Sequence, residues 1–166
     1  MIVRSATGDD GPAISDLMIR AAPHFDTKGY PDRLLPPGMV VLVAEEAGRV
    51  VGWLEAVLDW AYTGPGAPAP PPHGYVLAVV VDPAWRRRGI GCALLDRYVR
   101  EARENGVRWV FLLPEGGEGT QGRLAFFRAA GFTPLPATGD PLPPMGRWTC
   151  PERDPRRPSP RRRPPT

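Results

Sequence analysis

The chain has 166 residues, 42% hydrophobic and 23% charged, which suits one globular domain with its own core and is short for two. The formal charge of +3 belongs to residues 151–166, where six arginines face Glu152 and Asp154; the remainder stands at −1. No apolar run approaches the roughly 20 residues that span a bilayer, the N-terminal residues lack a signal-peptide core, and Cys92 and Cys150 make neither a disulfide framework nor a metal spacing, so a cytoplasmic protein without a metal site is expected.

Residues 2–4 read as a short first strand. Asp9 or Asp10 can cap a helix with Pro12 near its first position, and Ile14, Leu17, Met18 and Ala21 follow at helical spacing until Pro23. Residues 25–37 form a loop or a short second helix. Residues 40–46 and 50–58, joined through Ala47-Gly48-Arg49, read as a hairpin. Residues 64–74 carry five prolines and are expected to be a surface excursion without sheet pairing, with His73 as a solvated loop residue. A valine-rich strand over 75–82 closes on Asp82-Pro83, a helix spans 89–105 with Gly106 as its cap, and a further strand covers 107–113. After a glycine-rich loop, a helix over 123–130 ends at Gly131-Phe132, and short strands near 133–135 and 147–149 complete the domain. The proline- and arginine-rich segment 151–166 has nothing apolar to bury and is expected to be a disordered tail. It has no interleaved aromatics for base stacking, so nucleic acid is not an expected partner.

The densest signal is Arg86-Arg87-Arg88-Gly89-Ile90-Gly91, set between the valine-rich strand and the helix that begins near Cys92-Ala93. A glycine-bearing loop feeding a helix N-terminus can hold an anion: first-turn amides are free, glycine admits close backbone approach, and arginines add forked donors. The dinucleotide fingerprint fails because its third glycine position is Leu94, and no Gly-Lys-Ser/Thr is present for a Walker loop.

Arg-x-x-Gly-x-Gly following a valine-rich strand that ends in x-Pro resembles the cofactor segment of the GNAT superfamily of acyl-CoA-dependent N-acetyltransferases. The resemblance covers about residues 1–150. It implies a single α/β domain with a mixed, mostly antiparallel sheet flanked by helices on both faces. It also implies acetyl-CoA as co-substrate, and transfer of its acetyl group to a small-molecule or peptide primary amine by direct attack in a ternary complex. A fold that holds acyl-CoA with little or no catalysis is the alternative, and a monomer or homodimer is expected. By the same resemblance, Val79, Val80 and Val81 bind the pantetheine arm, and Arg86, Arg87, Arg88, Gly89, Ile90, Gly91, Cys92 and Ala93 grip the phosphates.

Proton chemistry is less plainly written. The family's usual tyrosine, four residues before the Gly-Phe closing the last helix, is Phe127 here, and its usual asparagine falls near Thr120. Phe127 is therefore expected to pack the core or line the cofactor tail. The valine strand offers no acid, which leaves Glu55 on the neighbouring strand as the candidate base. Trp53, Trp60, Tyr62, Phe25 and Tyr30 fall in segments expected to border the acceptor, so a cationic amine on an apolar body fits.

Overall fold

The computed structural model describes residues 1–136 and 140–151. The expected tail over 151–166 lies outside the described residues, apart from Pro151. Seven strands form one sheet in the order β1-β2-β3-β4-β5-β7-β6, with β1 Ile2–Ser5, β2 Val40–Glu46, β3 Arg49–Trp60, β4 His73–Val81, β5 Trp109–Leu112, β6 Thr133–Pro134 and β7 Met145–Trp148. Every neighbouring pair is antiparallel except β4 with β5. That exception follows from connectivity, because a parallel neighbour needs a crossover and helix α2 (Ile90–Glu104) supplies it.

Strand alternation assigns the two faces. Val41, Val43, Val50, Trp53, Ala78 and Val80 pack with Ile14, Leu17 and Met18 of α1 (Gly11–Ala21). Leu42, Ala44, Val51, Leu54 and Val76 pack on the opposite side against α2 and α3 (Thr120–Ala129). The α2 side is fixed by shape as well as area: the Tyr98 hydroxyl donates to the Val57 carbonyl at 2.5 Å.

Residues 22–39 contain turns and no helix, the first of the two alternatives open for that segment. Two local expectations change. Asp10 precedes α1 without capping it, because both carboxylate oxygens take the Arg4 guanidinium at 2.8 Å and one also accepts the Thr7 amide. The proline-rich excursion folds back on the sheet, where Ala69 joins Trp109, Phe111, Leu135 and Trp148 in a third apolar cluster. Pairing already begins at His73, opposite Trp60. His73 is a core residue at 1% exposure, correcting its reading as a solvated loop residue. Its Nδ1 accepts the Tyr62 amide at 3.0 Å, so the Nε2–H donates to the Ala69 carbonyl at 2.8 Å.

The feature that positions the site is a bulge in β4. Glu55 pairs with Ala78 but Ala56 pairs with Val76, so Leu77 is an extra residue. The pairing of β4 with β5 covers only Gly74, Tyr75 and Val76, and stops just before the bulge. Beyond it the two strands part, and β4 keeps a free edge.

Candidate active site

The space between the parting strands is a cleft of about 1070 Å³. One wall is β4 from Val76 to Val81, and the other holds Leu112, Leu113 and the start of α3. Hydrogen-bond alternation shows which backbone groups face it. The Asp82 amide donates to the Val51 carbonyl on β3 at 2.9 Å. Val80 and Ala78 share that phase and turn their N–H and C=O groups to β3, so those of Val81 and Val79 point into the cleft. An extended amide-bearing arm can pair with that edge as an added strand.

The loop after β4 supplies the anion end. Gly89 has φ +77°, and a Cβ there would meet nothing within 4 Å, so conformation alone calls for glycine. Arg87 is also left-handed, at φ +62°. The chain then enters α2 at Ile90, with the first-turn amides free for a ligand. Arg86 and Arg87 line the cleft, and Arg86 Nε donates to the Val81 carbonyl at 3.3 Å. Gly89, Ile90, Gly91, Cys92, Val79, Val80, Val81 and Phe127 line it too. Arg88 and Ala93 do not: the Arg88 guanidinium lies over the Trp85 ring at 4.8 Å, and the Ala93 amide closes the first helical turn on the Gly89 carbonyl.

Gly91 has a reason that its motif does not announce. A Cβ there would sit 2.8 Å from the Phe126 ring, so the glycine lets α3 close on α2. Phe127 is 9% exposed and packs against Phe126 and Phe132. Burial pushes the Cys92 thiol above its ordinary value, Asp96 adds to that, and Arg147 opposes it. A thiol held protonated is a poor nucleophile despite its place at a helix start.

Glu55 is half-buried on β3 and lies outside the cleft lining. Its carboxylate accepts a short hydrogen bond from the Tyr30 hydroxyl, whose oxygen accepts from Trp53 Nε1 at 3.3 Å. Burial, and then the Glu55 carboxylate, push the Tyr30 phenol far above its ordinary value. Of the aromatics expected at the acceptor, Trp53 and Tyr30 are core residues, Trp60 is half-exposed and meets the Tyr75 ring at a tilt, Tyr62 covers Phe111, and Phe25 reaches the cleft. Among the residues that the structure adds to the lining are His24 and Glu115, which local sequence pattern does not single out.

The model of the acetyltransferase (GNAT) family matches residues 12–132. The chain belongs to that family. The GNAT domain is 32% identical over 99 residues to a mycothiol acetyltransferase of Thermobifida fusca, a match covering 58% of this chain and 29% of that relative. The chain thus spans under a third of that curated relative's length. Among solved structures, the ribosomal-protein-S18-alanine N-acetyltransferase of Escherichia coli superposes with TM-score 0.65 at 17% identity, over 89% of this chain and 93% of that one. An aminoglycoside 6'-N-acetyltransferase complexed with coenzyme A gives TM-score 0.63 at 17% identity, over 91% and 98%. These superpositions share the mixed, mostly antiparallel sheet and its flanking helices.

Proposed function

We propose that this protein transfers the acetyl group of acetyl-CoA to a primary amine by direct attack. The observation that carries this reading is that one cleft joins a free strand edge to an anion-binding helix start. The edge offers the N–H groups of Val79 and Val81 to an extended amide arm and to a thioester carbonyl, where they would stabilise developing negative charge. The α2 amides, Arg86 and Arg87 would hold phosphates. The raised Cys92 thiol supports direct transfer over an acyl-enzyme.

The charge along the cleft supports a cationic acceptor. Ala21 and Ala22 bring the C-terminal end of α1 to the lining, together with Glu115 and Glu118. Helix C-termini and carboxylates favour positive charge, as the start of α2 favours negative. The acceptor is a small-molecule or peptide amine. Glu55, the base suggested by sequence, could act only from behind the lining while its carboxylate holds Tyr30.

A second reading, a module that binds acyl-CoA without turning it over, is favoured by one observation: Phe127 offers no hydroxyl where a general acid is usual. Thiol release measured with acetyl-CoA and a panel of primary amines separates the two. Saturating acetyl-CoA at 100 times its Kd should add about 2.7 kcal/mol of stability under either reading. No thermal shift would sink both, and a shift without thiol release would leave the binding module.

A further inference from the structure

The cleft contains a constellation that the cofactor loop does not use. His24 follows α1, and Glu115 lies in the loop after β5. Both line the cleft, and they meet across it with Nε2 and Oε1 3.1 Å apart. Each is braced from its own side. The His24 ring lies against Phe25 with centroids 4.7 Å apart, and Phe25 meets Trp53 of the α1-side core edge-on at 6.0 Å. On the other wall, Arg123 Nε donates to the Glu115 carbonyl at 3.1 Å and its Nη2 to the Gly116 carbonyl at 3.0 Å.

The placement is informative. Pairing of β4 with β5 ends at Leu112, and Glu115 lies a few residues on, in the loop that leaves β5 and lines the cleft. The other ionisable side chains of the lining are Arg86, Arg87, Cys92, Glu118 and Arg123. Arg86 and Arg87 flank the anion end, and Arg123 holds the loop. A half-exposed imidazole beside a carboxylate offers a ring nitrogen as a base next to a seat for a cation. His24 is half-exposed at 55% and Glu115 at 57%, so the pair is open to a solute.

We propose that His24 and Glu115 form the acceptor site: the Glu115 carboxylate holds the substrate ammonium, and His24 takes its proton. This rests on the acetyl-transfer reading above. In the step, the ammonium gives one proton to the imidazole and its lone pair attacks the thioester carbonyl. The C–N bond forms and the C–S bond breaks. The proton shed by nitrogen as the amide forms ends on the departing thiolate, and the imidazolium returns its own proton to solvent.

The test uses the full chain and three probes: phenethylamine, spermidine and a peptide with an N-terminal alanine. The chain has two histidines, and His73 is buried, so the His24 imidazole can be followed by NMR without turnover. At least one probe should shift the His24 resonances and leave those of His73 in place, and Glu115→Gln should abolish that shift. In thiol-release assays Glu115→Gln should raise the acceptor KM tenfold or more with little change in the acetyl-CoA thermal shift. His24→Gln, which keeps a polar side chain beside Glu115 but cannot take a proton, should lower kcat tenfold or more near pH 7, with the loss shrinking at higher pH as free amine accumulates. Glu55→Gln should leave that pH profile unchanged. Absence of a His24 shift with all three probes overturns the proposal. So does a His24→Gln enzyme with the wild-type kcat and pH profile. A Glu115-dependent shift in a protein that releases no thiol would support the docking site and count against the transfer reading instead.

Discussion

Gly91 shows how one atom can serve two requirements. Its place in Arg-x-x-Gly-x-Gly is legible because the motif is local, and there bare backbone lets phosphate approach. The structure adds that the same absent Cβ makes room for the Phe126 ring at 2.8 Å. That contact joins residues far apart in the chain, so no spacing rule exposes it. Gly91→Ala should therefore destabilise the protein without ligand, by roughly 1 kcal/mol, as overpacking against the Phe126 ring outweighs alanine's helix preference of up to about 1 kcal/mol. Shrinking the ring with Phe126→Leu in the same chain should return part of that loss. Thermal melts of the single and double variants measure it, and an additive double variant would show that the two side chains are not in contact. Cys92, the next residue, behaves in the opposite way: its position suggests chemistry and its surroundings remove it. With burial and Asp96 holding the thiol protonated, Cys92→Ala should keep kcat within about threefold. A collapse of turnover in that variant would reopen the acyl-enzyme route.

At the scale of elements, the order of strands and helices was readable because turn residues and helical spacing are local signals. The β4 bulge was not. Tyr75 to Val81 is apolar throughout but for the tyrosine hydroxyl, and an unbroken apolar run has no polar alternation to break, so the extra residue at Leu77 left no trace in the pattern. Nor could composition show that the proline-rich excursion returns to cover Trp109 and Phe111. The bulge matters because it frees the β4 edge, and the phase of that edge can be tested. Val79→Pro removes an N–H that faces the cleft, whereas Val80→Pro removes one bonded to β3. The Val79 variant should melt within a few degrees of wild type but lose most of its acetyl-CoA shift. The Val80 variant should lose about 3 kcal/mol or more of stability before any ligand is added. Equal damage from both substitutions would contradict the assigned alternation.

At the scale of the molecule, Asp82 ties the layers together behind the cleft. It follows β4, accepts the Ala84 amide at 3.0 Å, and meets Arg20 of α1 at 3.2 Å and Arg49 of β3 at 3.3 Å. From sequence it was only the residue before Pro83, because its partners come from two distant elements. The His24–Glu115 contact stayed hidden for the same reason, while the family and the cofactor end were legible from one contiguous stretch. Burial alone would raise the Asp82 pKa; the Ala84 amide, Arg20 and Arg49 outweigh it and hold the carboxyl below its ordinary value of 3.8. The Arg4 guanidinium, against burial, likewise holds Asp10 low. A depressed folded-state pKa means that the unfolded chain binds more protons in acid. This stability is complete above the unfolded pKa and is lost as pH falls through the folded one. Asp82→Asn keeps the shape but cannot carry the charge, so at pH 7 it should melt roughly 5 °C below wild type, from the loss of about 2 kcal/mol of charge-assisted hydrogen bonding. As pH falls below the unfolded carboxylate value of about 4 the gap between the two melting temperatures should begin to close, and it should vanish once the folded carboxyl, held below 3.8, is protonated. Asp10 titrates in both proteins and cancels from that difference. A gap of unchanged size at pH 3 would mean that Asp82 contributes by shape and not by charge.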